Sequence, residues 1–106
     1  MSLDVSLYYK DHEIFSKNIT HNLGQMANKA GCYYALWRPE EIGIKKAKRL
    51  IIPLEKSLLE LKNNPEKYKE YNPKNGWGSY EGLIDFIIEY LEYCKKYPAC
   101  KVYTSR

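Results

Sequence analysis

Histidine and asparagine side chains stand close together at residues 18–22, where the sequence predicts the start of a helix. The free backbone amides at a helix start attract anions, and an imidazole adds a hydrogen-bond donor or a proton shuttle. We expect ligand contacts from Asn18, His21 and Asn22. The competing interpretation is that Asn18 or Thr20 only caps the helix, while His21 lies on the surface.

An arginine follows a tryptophan at residues 37–38, directly before a proline and two glutamates. The guanidinium of Arg38 has the geometry to bind a carboxylate or a phosphate through two parallel hydrogen bonds. The ring of Trp37 offers a face on which a flat group can stack. The competing interpretation is structural: Arg38 pairs with Glu40 or Glu41, and Trp37 belongs to the core.

The segment 75–79 places a tryptophan between two glycines. Glycine lets the backbone turn sharply and approach another group closely, and the helix predicted to follow adds free amides. We therefore expect Asn75, Trp77 and Ser79 to complete the site. The alternative is that the glycines only form the turn and Trp77 fills the core. The glycine patterns of nucleotide-binding loops are absent from the sequence, so no such loop is indicated.

Three main helices are predicted to position these segments, because apolar residues recur three and four positions apart and so share one face. They cover about residues 18–31, 39–61 and 79–97, with Gly43 as a residue that can delay the start of the second helix. Gly31 and Ser79 are a predicted helix stop and a predicted cap. Pro53 is expected to kink or break the second helix. Asn64 should cap a short fourth helix that begins at Pro65.

Alternating residues predict a strand at each end of the chain, over residues 4–9 and 100–104. Residues 10–17 are polar and are predicted to form a loop. Pairing the terminal strands and packing the helices on one face gives a helix-rich α+β domain, with three main helices and a short one against a small sheet. We expect residues 1–106 to be one domain, with residues 1–3 interpreted as a cloning remnant.

Length and composition exclude several classes of protein. A chain of 106 residues suits one domain, and a hydrophobic content of 44% is too high for a disordered tail. No apolar run approaches the roughly 20 residues that cross a bilayer, and no leader is visible. We therefore expect a cytoplasmic protein without a membrane partner. The three cysteines lack zinc-binding spacing, so we expect free thiols, no metal and no cofactor.

The basic run and the open strand edges indicate which partners to expect. The basic run at residues 45–49 could contact nucleic-acid phosphates, but its apolar neighbours follow a helical period and the net charge is only +4. We interpret the run as a solvated helix face and do not expect nucleic acid as a partner. A two-stranded ribbon leaves open edges, which favours a homo-oligomer, with a dimer preferred.

Four strings stand out together: ITHNLG at residues 19–24, LWRPEE at 36–41, NGWGSYE at 75–81 and the closing SR at 105–106. With them the sequence resembles a group of small proteins of unknown function that occur in bacteria and bacteriophages. The resemblance covers nearly the whole chain, and residues 43–74 match least. It implies a small accessory factor that binds a host protein or a small molecule, and it assigns no activity or catalytic residue.

Our leading hypothesis is a protein that binds a small polar or anionic ligand without catalysis, in a hollow lined by the segments around positions 21, 38 and 77. His21 and Arg38 would orient an anion, and Trp37 or Trp77 would cover a flat portion. The alternative is an interaction module, since 11 tyrosines and two tryptophans suit a recognition surface. A third hypothesis is a hydrolase or transferase that depends on His21.

Overall fold

The computed structural model describes residues 2–106, and in that part of the chain helices pack on one face of a three-stranded antiparallel sheet. The strands are β1 (Ser2–Tyr9), β2 (His12–Thr20) and β3 (Lys101–Ser105). Strand β1 lies in the middle, antiparallel to both neighbours. The predicted α+β class and the predicted pairing of the terminal strands are both confirmed.

Strand β1 shows the alternation that its sequence predicts. Leu3, Val5 and Leu7 are fully buried under the helices, because every second side chain of a strand points to the same face. Asp4 and its alternate neighbours lie on the other, open face. Residues 2–3 of the segment interpreted as a cloning remnant are paired in the sheet, while Met1 lies outside the described residues.

The loop predicted over residues 10–17 is wrong, because most of this segment belongs to β2. Lys10 turns the chain with a φ of 56°, and β1 and β2 then form a hairpin. Only Phe15 and Ile19 of this strand are well buried. The open face of the sheet needs no apolar residues, so an edge strand of this kind has a weak hydrophobic pattern.

The first helix begins later than predicted. Thr20 ends β2 and caps a short 3-10 turn, His21–Leu23, by accepting a hydrogen bond from the backbone amide of Asn22 at 3.2 Å. Helix α1 follows at Gly24–Ala30. Gly31 ends it in the left-handed region, with a φ of 90°, as its sequence position predicts.

The remaining helices are shorter or better separated than expected. Residues 33–37 form a short helix outside the three predicted main helices, and 3-10 turns cover Pro39–Ile42 and Ala47–Leu50. The helices are α2 (Tyr33–Trp37), α3 (Ile51–Asn63), α4 (Pro65–Lys69) and α5 (Tyr80–Lys96). Within residues 2–106, no helix is both long and apolar enough to cross a membrane.

Pro53 and Pro65 each lie in the first turn of a helix. Pro53 does not break α3, because it stands in the first turn, where its missing N–H has no partner to lose. Pro65 begins α4 as predicted, but the Asn64 side chain donates to Glu60 instead of capping the helix. Ser79 caps α5 by accepting from the amide of Gly82 at 3.0 Å.

Helix α5 is the centre of the core, as the breadth of its apolar face predicts. It packs against α3, α4 and β2, and an ion pair between Lys17 and Glu89 links it to the sheet. Its buried residues include Leu83, Phe86, Ile87, Tyr90, Leu91 and Cys94. All three cysteines are buried free thiols, so they serve as small apolar core residues here.

Candidate functional site

The loop that carries Trp77 is pressed against the junction of β2 and the following 3-10 turn. Gly78 has a φ of 102°, and a Cβ added there would lie 2.7 Å from Cγ2 of Thr20 and 3.0 Å from Cγ of Leu23. Any side chain at this position would therefore clash as well as strain the backbone. Gly76 also has a positive φ, of 78°, but faces open space. Gly78 is thus the residue that allows the close approach.

Two asparagines fasten this loop from the side. The Asn22 amide donates to the carbonyl oxygen of Trp77 at 3.3 Å and to Oδ1 of Asn75 at 3.5 Å. The same Asn75 oxygen accepts the backbone amide of Trp77 at 2.9 Å. Asn22 and Asn75 come together as the sequence analysis expects, but their recorded bonds hold the loop.

His21 is oriented by Trp37. The indole Nε1 of Trp37 donates to Nδ1 of His21 at 2.8 Å. An indole N–H can only donate, so Nδ1 must accept, and the proton of the neutral imidazole is placed on Nε2. Trp37 is 2% exposed, so it belongs to the core, as the competing interpretation holds, and it supports the site from behind.

Arg38 does not line the hollow beside His21. Its guanidinium donates to Oη of Tyr33 at 3.3 Å and to Oε2 of Glu41 at 2.7 Å. The bond to Tyr33, followed by that to Glu41, raises the pKa of Arg38 above its ordinary value. The structure therefore contains the ion pair of the competing interpretation, between Arg38 and Glu41.

Arg106 takes a place at this end of the sheet that sequence reasoning did not give it. It donates to the carbonyl oxygen of Trp37 at 2.8 Å and to Oε2 of Glu40 at 2.9 Å. The bond from Arg106 holds the pKa of the Glu40 carboxyl below its usual range. No local pattern signals this role, because the bond spans 69 residues and depends on the pairing of β3 with β1.

These contacts leave an open cavity, the Trp77 hollow, of about 820 Å³. It is lined by Ser2, Asn18, Thr20, His21, Asn22 and Trp77. Ser2, which no sequence pattern marks, and Thr20, which belongs to the predicted helix start, reach the hollow because they are opposite each other in the β1–β2 pairing. The lining contains hydroxyl, amide and imidazole groups and no formally charged side chain when His21 is neutral. It can exchange hydrogen bonds and offer one aromatic face.

The other predicted site residues have different places. Ser79 is engaged as the cap of α5 and is absent from the lining of the hollow. The hydrogen bond recorded for the His21 ring, in residues 2–106, is the one from Trp37, and no carboxylate orients that ring. In the same range no cluster of three or more His, Cys, Asp or Glu side chains is placed to hold a metal ion.

Comparison with protein-family models, with curated proteins and with solved structures finds no match to this chain. The four strings on which the sequence resemblance rests are nevertheless joined in space. Hydrogen bonds link residues 19–24 to 75–81 and to 36–41, and link 36–41 to Arg106. The candidate site therefore lies where these distant segments converge, at one end of the sheet.

Proposed function

We propose that this protein binds a small polar ligand in the Trp77 hollow, without catalysing its conversion. The observation that carries the proposal is the Trp77 indole, which is 71% exposed on a loop clamped beside uncharged hydrogen-bonding side chains. An indole held in place beside polar groups offers a face that a flat or apolar part of a ligand can cover. A ligand with one flat or apolar face and several polar groups would fit.

The lining favours a neutral ligand over an anion. Nε2–H of His21 is a donor, and the Asn18 amide and Thr20 hydroxyl add groups that can donate or accept. The nearby guanidiniums of Arg38 and Arg106 are already bound to Glu41 and Glu40. An anion in the hollow would therefore lack a cation to balance its lost hydration.

Nuclear magnetic resonance gives a direct test, because the chain has only two indole N–H signals. We would titrate the protein with adenosine, methyl glucoside and inorganic phosphate at millimolar concentration. The proposal expects a neutral probe to shift the indole signal of Trp77 more than that of Trp37. Native mass spectrometry of freshly purified protein would show any small molecule carried through purification.

Two variants make the test specific. Trp77→Ala should abolish the response of the His21 ring to the same probe. Tyr34→Ala removes another exposed aromatic ring outside the hollow and should leave the response intact. The proposal is wrong if no probe shifts the Trp77 signal and no bound molecule is found, or if both variants bind the probe like the unmodified chain.

The same exposed indole also supports the interaction module as a second candidate, since tryptophan is a frequent anchor of protein interfaces. Sedimentation velocity separates the two candidates. If Trp77→Ala converts an oligomer to a monomer, the ring serves an interface between copies. If the oligomeric state is unchanged and probe binding is lost, the small-ligand proposal stands.

A further inference from the structure

The basic run at residues 45–49 is not the helix face that the sequence predicts. Lys45 and Lys46 are extended and lie beside the beginning of β3. The Lys45 carbonyl accepts the amide of Val102 at 3.0 Å, and the amide of Ala47 donates to the carbonyl of Cys100 at 2.8 Å. The neighbouring apolar residues have helical spacing because a short 3-10 turn follows at Ala47–Leu50, so the sequence pattern did not indicate the extended backbone at residues 45–46.

This bridge places two lysines directly opposite each other. Lys46 and Lys101 are direct antiparallel partners, so their side chains leave the same face of the sheet. Like charges in that relation destabilise a sheet. Within residues 2–106, the hydrogen bond of the Lys46 ammonium goes to the carbonyl of Ala99, at 3.4 Å. The backbone pairing thus keeps these two cations on one face, where a bound anion would offset their mutual repulsion.

The pair belongs to a larger group of exposed cations, which we call the Lys46 patch: Lys45, Lys46, Lys48, Arg49 and Lys101. Within residues 2–106, none of them lies within 4 Å of a carboxylate, although six ion pairs form elsewhere. The charge of the chain is also uneven. Residues 44–74 hold nine of the 17 basic residues and four of the 13 acidic ones.

An aromatic ring adjoins the patch on the open face of the sheet. Tyr103 follows Lys101 by two positions, so both side chains lie on this face, and its ring is 53% exposed. Tyr8 braces it edge-on, with ring centroids 5.3 Å apart. The concave surface around the two rings has a volume of about 490 Å³ and includes Ser6 as well as Asp4 and Asp11. Asp4 lies opposite Ser105, four positions along β3 from Lys101, and Asp11 lies in the turn of the β1–β2 hairpin.

We propose that the Lys46 patch and Tyr103 form a binding surface for single-stranded nucleic acid. The cations take successive phosphates, and a base stacks on Tyr103, which is the combination that sequence-tolerant single-strand binding uses. The hydroxyl-lined concavity suits a base and its sugar better than the flat surface of an anionic membrane. The patch lies at the first residue of β3, whereas the Trp77 hollow lies at the other end of the sheet, so the two proposals are independent.

Fluorescence anisotropy of labelled oligo-dT and oligo-U, measured over a range of salt concentrations, tests this surface. Four phosphate contacts predict a slope of about −3 for log affinity against log salt. Lys46→Ala with Lys101→Ala should weaken binding about tenfold at low salt and reduce the slope by about 1.4. The double variant should be at least as stable as the unmodified chain, because it removes the repulsion. Tyr103→Ala should weaken binding without changing the slope.

A matched control separates the patch from the net charge. Lys29→Ala with Lys62→Ala removes the same charge from exposed positions outside the patch and should bind like the unmodified chain. The proposal is overturned if both double variants weaken binding equally, or if neither oligonucleotide binds at low salt. Binding to phosphatidylserine vesicles but not to oligonucleotides would also overturn the proposal, because it would show that the partner is an anionic membrane. Equal affinity for duplex and single strands, unaffected by Tyr103→Ala, would refute base stacking.

Discussion

At the scale of single residues, the bond from Trp37 to His21 restricts the imidazole to one tautomer. The Nδ1 atom accepts from a group that can only donate, so Nε2 must carry the proton of the neutral ring. This leaves a donor available at the Trp77 hollow. A second proton on Nδ1 would set two donors against each other and break the contact.

We therefore predict that nitrogen chemical shifts of His21 show an unprotonated Nδ1 and a protonated Nε2. Trp37→Phe removes the donor and should let the ring exchange between tautomers. His12 is exposed on β2 and provides an internal control for ordinary behaviour in the same spectrum. Observation of the proton on Nδ1 of His21 would contradict the assigned orientation.

For two buried tyrosines we expect loss of the hydroxyl to change the free energy of unfolding in opposite directions. Tyr90 has the one buried side-chain polar atom without a partner in residues 2–106, and burial raises its pKa well above the ordinary value. Tyr68 donates to Oε2 of Glu60 at 2.6 Å. We expect Tyr90→Phe to leave stability unchanged or raise it by up to about 1 kcal/mol, and Tyr68→Phe to cost about 1 kcal/mol. Urea unfolding measures both, and a large loss in Tyr90→Phe would reveal an additional partner.

At the scale of elements, the Trp77 loop depends on one close backbone approach. We predict that Gly78→Ala lowers the free energy of unfolding by about 3 kcal/mol, because strain at positive φ and a clash with Thr20 add together. Gly76→Ala should cost only about 1 kcal/mol, since its surroundings are open. Urea unfolding, followed by circular dichroism, gives the comparison.

Thr20→Ser supplies the control for this prediction. The serine keeps the hydroxyl that caps the 3-10 turn but lacks the methyl group nearest to Gly78. In the Gly78→Ala background, Thr20→Ser should restore part of the lost free energy of unfolding. In the unmodified chain, Thr20→Ser should not raise the free energy of unfolding. Equal costs for the two glycine variants would show that the loop does not rest on Thr20.

At the scale of the whole molecule, one core buries several groups that titrate in alkali. Burial raises the pKa of the Cys32 and Cys94 thiols from about 9 to about 12, and that of Tyr68 from 10 to about 12. Above pH 9 the unfolded chain releases protons that the folded chain retains. Stability contributed by the neutral thiols is therefore complete below pH 9 and is lost as the pH rises toward 12.

We predict that urea midpoints stay level up to about pH 9 and then fall. Cys32→Ala with Cys94→Ala should make the fall shallower, even though the double variant starts from a lower stability because of the cavities. The three thiols should also resist Ellman's reagent at neutral pH until the chain unfolds. An alkaline fall that is identical in both proteins would assign the effect to other groups.

The whole molecule also places two surfaces at opposite ends of a sheet whose open face is polar. Strand pairing brings Ser2 and Thr20 to one end, and the bridge from Lys46 brings Lys101 to the other. Variants of the Trp77 hollow should therefore leave oligonucleotide affinity unchanged, because the two surfaces share no lining residue within residues 2–106. A change in that affinity in Trp77→Ala would show that the surfaces act together.

Much of the fold follows from short-range signals. The alternation in β1, the left-handed stop at Gly31, the proline start at Pro65 and the serine cap at Ser79 involve residues within a few positions of each other. Local backbone energetics decide such features, so the chain encodes them wherever the segment lies. The α+β class follows from their order along the chain.

The composition of the site depends on contacts between residues that are far apart in the chain. The segments around His21 and Trp77 were recognisable from their residue types, but the partners of the distant cations were not: Arg106 binds the Trp37 carbonyl, and Lys46 pairs with Lys101. Each of these contacts joins residues more than 50 positions apart. Contacts over that distance depend on which strands pair and in what register, a balance of burial across the whole core that no local pattern records.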